Sequence, residues 1–349
     1  MTDPFNTVAT ELPRDRWGRP LITPPGETEA VPYTRTTTFV GVLEDTYHLG
    51  LWQMRMVALG MASRRDLQLA ASAISDPKDR FQKRTLNDIA KSAMEAAAGS
   101  AAATTGTALH TFTENIDRGL PVGNIPEEFA PDLKAYKDIT ADFTVVDIEG
   151  FCVHDGLRVG GSYDRIMRLP VGGLRAPEWW IEQHPDEDPI IEGSVIWDLK
   201  TGGSMEAGLF GISKIAMQMG TYGNSVNYDH TLGSRTPLPG NPRKDLGIVC
   251  HLPAGSGQAQ LIWVDIAAGW EMTLHIAPEV HAWRKRKDIS APFRAASATP
   301  LELTIPEQIK RADSYAVLQA IFAENRLVWT PGLTALATAR KAELETVRS

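Results

Sequence analysis

Three pairs of polar residues stand at spacings that put both members on one face of their element. In SVIWDLKTG, Asp198 and Lys200 are two apart, so on a strand both project to one side while Trp197 and Leu199 take the other. In GTALHTFTE, His110 and Glu114 are four apart and become neighbours on a helix; Gln218 and Tyr222 repeat that spacing in QMGTY. An acid inside an otherwise apolar strand must find a cation or hydrogen bonds to offset its desolvation, and Lys200 is the nearest cation. With Asp164 of GGSYDRIMRL, His110 and Asp198 form a mixed N/O set that suits Mg²⁺ or Mn²⁺, water and phosphate oxygens completing a roughly octahedral shell. Such an ion polarises a phosphoryl oxygen and acidifies a bound water, while an ammonium beside it stabilises developing charge. Phosphodiester hydrolysis uses these parts.

Taken singly, each residue has a structural explanation. Asp198 and Lys200 read as a salt-bridged or solvent-facing pair on an edge strand, His110 as a surface or core-edge histidine, and Asp164, after Gly161 and Ser162, as a turn residue. Gln218 and Tyr222 read as flanks of a helix packed on a sheet, and Glu149, closing TVVDIEG, as a surface acid. The argument lies in their joint order along the chain.

The elements that must position them follow from pattern. A helix is expected over 106–118, strands at about 143–154, 157–169 and 194–201, and a long hairpin connection over 170–193 holding Trp179 and Trp180. A helix over 205–227 follows, then strands at LGIVCHL and AQLIWVDI, and a helix over 267–289 whose basic end suits its C-terminus. Upstream, YTRTTTFVGV reads as a Thr-rich cap leading into a helix with Phe39, Val42 and Leu43 on one apolar face. Residues 1–30, rich in Pro, Thr and charge without period, read as a flexible arm. An α/β domain over 31–300 and a helical extension over 301–349 complete the division, the extension carrying Leu333, Leu336, Ala337 and Leu344 as an apolar stripe. Residues 55–91 are locally basic, and the ordinary explanation is a solvated helical face.

A chain of 349 residues, 43% hydrophobic, can bury a substantial core. No signal peptide and no spanning apolar run is evident, which makes a cytoplasmic, non-membrane protein the expectation. Cys152 and Cys250 fall in apolar strands and read as buried thiols; two cysteines do not supply the usual four ligands of an iron–sulfur cluster. The net charge of −8 argues against coating nucleic acid by bulk electrostatics, but leaves room for a local grip.

The run GTALH, then GSYD, then DLK, then QMGTY resembles the motif series of RecB-like nucleases in the PD-(D/E)XK superfamily, which includes phage exonucleases and CRISPR-associated members. The opening YTRTTTFVGVLEDTYHLGLWQMR is especially similar to actinobacteriophage members. The resemblance spans roughly residues 33–290. It implies a restriction-endonuclease-like core with a mixed central sheet flanked by helices, and a metal-dependent DNA exonuclease serving phage recombination or replication in the host cytoplasm. It implies that His110, Asp164, Asp198 and the Leu199 carbonyl bind the divalent ion, with Lys200 as catalytic lysine and Gln218 and Tyr222 organising the site or touching DNA. Thr36 and Thr38 become candidate phosphate contacts, with Glu114 beside the ligands. The four cysteines of CRISPR-associated members have no counterpart here, so no iron–sulfur cluster is expected.

Two other classes stay open. A catalytically silent DNA-binding or adaptor protein on the same fold would use the C-terminal helices and the Trp179–Trp180 loop to bind a protein partner. A metal hydrolase on another substrate lacks the H-E-x-x-H and G-x-S-x-G signatures.

Overall fold

The computed structural model describes residues 11–97, 101–203, 211–289 and 303–346. It divides into two units, Met1–Lys285 and Arg286–Ser349, so the boundary falls some fifteen residues before the expected one.

After the short paired strands Leu21–Ile22 and Val31–Pro32, the elements of the first unit are strand β1 (Thr34–Arg35) and helices α1 (Thr36–Val40), α2 (Tyr47–Ser63), α3 (Arg65–Ser72), α4 (Arg80–Ala96), α5 (Ala101–Asp117) and α6 (Ala130–Thr140). Strands β2 (Thr144–Ile148), β3 (Phe151–His154), β4 (Val159–Ser162) and β5 (Arg165–Arg168) follow, then α7 (Glu178–Gln183) and β6 (Ser194–Lys200). The unit closes with α8 (Ile212–Gly223), β7 (Val226–Asp229), β8 (Ser234–Thr236), β9 (Leu246–His251), β10 (Gln260–Asp265), α9 (Ile266–His275) and α10 (Ala277–Lys285). The result is a mixed α/β unit whose sheets are flanked by helices.

The principal sheet has the order β10-β9-β6-β5-β2, parallel at β6/β9 and antiparallel elsewhere. Strand β6 is therefore central, and six of its seven residues are buried. Alternation decides what each face meets. Trp197 and Leu199 pack with Tyr136, Trp180, Ile248 and Cys250 on one side, whereas Ile196 packs with Ile215, Met219 and Tyr222 of α8 on the other. Asp198 and Lys200 share the parity of Ile196 and so belong to the α8 side. A second sheet, ordered β8-β7-β3-β4-β1, forms because the expected long strands over 143–154 and 157–169 each break and hand the chain from one sheet to the other. Glu149 and Asp164 sit at those breaks, Glu149 with φ 56.

Several expectations are corrected. From Glu11 onward the arm is laid down: Arg14 bridges Pro20, Leu21–Ile22 pairs with Val31–Pro32, and Leu12 and Ile22 pack on Tyr33, Val153 and Tyr228, because apolar residues spaced through the Pro-rich stretch find a cover on the second sheet. Residues 1–10 lie outside the described residues. Leu43 is exposed while Phe39 and Val42 are buried, since α1 is short and yields to a 3₁₀ turn over Gly41–Leu43 that rotates Leu43 outward. The connection over 170–193 is the long hairpin expected, since β5 and β6 are antiparallel and Leu174–Arg175 pairs antiparallel with Ile190–Ile191; what the sequence did not show is that it holds α7, whose Trp180 is buried. The helix expected over 205–227 ends at Gly223, and β7 begins at Val226, where the β-branched side chain pairs with Val153; residues 205–210 lie outside the described residues. The helix expected over 267–289 breaks at Ile276 into α9 and α10.

The second unit contains α11 (Ile305–Arg311), α12 (Tyr315–Glu324) and α13 (Pro331–Thr346). Its small core of Ile309, Ala312, Leu318 and Ile321 takes in Leu333, Leu336, Ala337 and Leu344, the stripe read from sequence. No described helix is long and apolar enough to cross a membrane.

Candidate functional site

The β5/β6 ladder ends at the pair Trp197↔Arg165. The next outward N–H of β6 on that side, that of Leu199, therefore has no strand partner, and the Asp164 carboxylate takes it: Leu199 N donates to Asp164 Oδ2 at 2.8 Å. The same oxygen lies 3.7 Å from His110 Nδ1. One strand over, the Lys200 ammonium sits on Asp198 Oδ2. That oxygen is buried, and the contact supplies no hydrogen bond of sound geometry, so Asp198 is countered by charge without being fully solvated by donors.

Helix α5 brings His110, Thr113, Glu114 and Asp117 onto one face, at i, i+3, i+4 and i+7. Its lower half is pinned to β5 by a buried network. Arg165 donates through Nε to Asp117 Oδ2 at 2.5 Å and through Nη2 to Thr113 Oγ1 at 2.8 Å, and Tyr136 Oη donates to Asp117 Oδ2 at 2.8 Å. That clamp holds the upper half, with His110 and Glu114, toward Asp164. Close approach is secured by two glycines of the motifs. A Cβ on Gly106 would lie 2.8 Å from Thr201 Oγ1, and one on Gly161 would lie 3.0 Å from Thr36 Oγ1 and 3.2 Å from Tyr222 Cε1.

From α8, Gln218 Nε2 donates to Tyr222 Oη at 3.2 Å. Tyr222 is buried in the core cluster beneath the site, and burial first, then the Cys152 and Asp198 charges, hold its phenol well above the usual range. Thr36 is buried against Gly161 and Tyr222, so it supports the site from within; of the two threonines, only Thr38 is open to an incoming phosphate. Past Lys200 the turn Thr201-Gly202-Gly203 is tied down by the buried His251, whose Nε2 lies 3.0 Å from Gly202 O.

The electrostatics are those of crowded acids. Burial, then the Asp164 carboxylate, push Asp198 up to about 6 despite Lys200. Burial, then Asp164 and Glu114, push Glu149 up to about 7. Glu149 is an exposed residue, so the crowding by Asp164 and Glu114 is the sturdier cause. Burial lowers His110, with Arg165 and Lys200 adding to that and Asp164 opposing it. Glu149 was read from sequence as a surface acid and is exposed; what that reading missed is its place beside Asp164. Its signal was faint: a Glu-Gly at the end of a β-branched run marks a break, and its backbone N–H pairs with Asp164 O at 2.9 Å only once the two breaks are aligned.

These shifts have a testable sign. An acid whose folded pKa lies above its unfolded value makes the folded state bind more protons, so stability falls as pH rises between the two. For Glu149 and Asp198 that window runs from about 4 to about 7. In metal-free buffer the protein is expected to melt at a lower temperature at pH 8 than the Glu149→Gln variant, and the difference is expected to vanish near pH 4.5. A variant that melts below the parent at pH 8 contradicts this assignment.

Among the described residues, no three His, Cys, Asp or Glu side chains already converge in metal-ligand geometry. The residues nevertheless fit a divalent ion: a buried carboxylate oxygen short of donors, a Glu149 carboxyl raised by the Asp164 and Glu114 charges, and a histidine that burial lowers are the groups a cation relieves. Cys152 and Cys250 are both buried thiols, pushed up to about 12 by burial and remote from metal-thiolate chemistry. Compared with known proteins, the chain matches no family model and no curated sequence.

Proposed function

We propose that this protein is a divalent-metal-dependent deoxyribonuclease on a restriction-endonuclease-like core of the RecB-like branch, acting as an exonuclease in phage DNA recombination or replication. One observation carries the reading: Asp164, read from sequence as one motif, accepts from the backbone of Leu199, in the middle of another, while lying beside the histidine of a third. Three short motifs that lie far apart in the sequence meet at one carboxylate.

His110, Asp164, Asp198 and the Leu199 carbonyl would hold Mg²⁺ or Mn²⁺. Bound there, the ion supplies a polarised phosphodiester and a water acidified toward neutrality. The Leu199 N–H and the His110 ring fix the Asp164 carboxylate in place, so its orientation does not depend on substrate. Lys200, half-buried beside Asp198, offers a positive charge to a phosphate oxygen or to the attacking water. Gln218, oriented by Tyr222, presents an amide for a strand contact. Exposed Tyr315, Phe322, Leu327 and Val328 of the C-terminal unit favour a protein partner there.

The test is digestion of end-labelled single- and double-stranded DNA with Mg²⁺, Mn²⁺ or chelator, beside closed circular DNA. Linear DNA is expected to be lost only with metal while circles survive. Loss of circles would make the enzyme an endonuclease. The close Lys200–Asp198 contact favours one other reading, a silent DNA-binding or adaptor protein, and binding without cutting under both metals would establish it.

A further inference from the structure

We infer that the cationic row on α4 is a binding surface for single-stranded DNA; the identity of the polymer rests on the nuclease reading, the surface itself on the following observations. Arg80, Lys83, Arg84 and Lys91 stand at i, i+3, i+4 and i+11, one stripe about 16 Å long at 1.5 Å per residue. The stripe faces away from Ile89 and Ala93, which bury the other side of the helix against α2 and α3. All four cations are exposed.

Helix stability does not account for them. Arg80, Lys83 and Arg84 crowd the N-terminal end, where positive charge opposes the helix dipole. Asp88 and Glu95 lie on the flank, four residues beyond Arg84 and Lys91, yet among the described residues neither pair closes an ion bridge. Asp79 caps the helix by accepting from Phe81 N and Gln82 N, both at 3.0 Å, and so attends to the helix end and leaves the cations to solvent. A row of unpaired positive charge in a chain of net charge −8 is fitted to a polyanion that must be gripped locally.

Phe81 selects among polyanions. Its ring is 79% exposed on the flank beside Arg84, at the start of the row. An aromatic face next to a phosphate-binding row stacks an unpaired base, which a duplex does not present. In chain order α4 precedes α5, the helix that carries His110.

The experiment measures binding of labelled single-stranded and duplex oligonucleotides in chelator, where nothing is cut, across a salt series. Lys83→Glu with Arg84→Glu is expected to weaken single-strand binding at least about tenfold and to flatten the log K against log salt slope by about 1.4, for two lost contacts. Phe81→Ala is expected to weaken single-strand binding about five- to a hundredfold and leave duplex binding unchanged. Lys83→Gln with Arg84→Gln, which adds no negative charge, guards against an effect on folding and is expected to give the same change in slope. Unchanged affinity and slope, an equal Phe81→Ala loss on duplex, or no binding by the parent protein would each overturn the inference. A parent that binds through the row but cuts nothing with either metal overturns the nuclease reading and leaves this surface standing.

Discussion

Asp198→Asn and Lys200→Ala are each expected to reduce metal-dependent DNA degradation by about a thousandfold or more while the protein stays folded. The two variants should differ in stability, which makes the pair informative. Asp198 is buried and its carboxyl is already pushed up to about 6, so a neutral amide of the same shape relieves a desolvated charge and leaves the melting temperature unchanged or raised. Removing Lys200 leaves that carboxylate without its cation. The Lys200→Ala protein should therefore lose stability at pH 8 and recover it near pH 5, where Asp198 takes up a proton. Activity assays and melting curves at the two pH values check both halves. Retained cutting in either variant sinks the catalytic assignment.

Arg165→Met and Asp117→Leu are each expected to destabilise the fold by about 3–5 kcal/mol, because either change strands a buried charge. Both side chains are almost wholly buried, and Arg165 already has one nitrogen, Nη1, without a hydrogen-bond partner. The double variant is expected to cost clearly less than the sum of the two, since no charge is then left alone in the interior. Urea unfolding of the two singles and the double reads this directly; additive losses would show that the pair is not a unit. The same network clamps α5 to β5, so the single variants should also loosen His110 from Asp164 and lower activity beyond what the loss of stability explains.

How far the sequence reached can be followed residue by residue. Period-two patterning in SVIWDLK placed Asp198 and Lys200 on a common face, and the strand is there with the alternation intact, Trp197 and Leu199 in one core and Ile196 in the other. The strands at LGIVCHL and AQLIWVDI and the apolar stripe of the C-terminal unit were equally legible, because each depends on periodicity within a few residues. Where the pattern failed, a distant partner intervened. Residues 205–227 look helical by composition, yet the segment at Val226 is drawn into a sheet by β3, more than seventy positions earlier. The Pro-rich stretch after Glu11 offers no period, yet its scattered apolar residues find a surface that does not exist until the second sheet has formed.

The candidate site divides in the same way. By itself the sequence determined which residues share a face: His110 with Glu114, Asp198 with Lys200, Gln218 with Tyr222. Local geometry fixes these pairs whatever the rest of the chain does. Only the tertiary structure decided which pairs meet, because that depends on where the β5/β6 ladder stops and on the clamp between Arg165 and Asp117. It also set the exposed Glu149 beside Asp164, buried Thr36 and left Thr38 exposed. Burial and neighbouring charge are properties of an assembled surface, and no spacing along a chain encodes them.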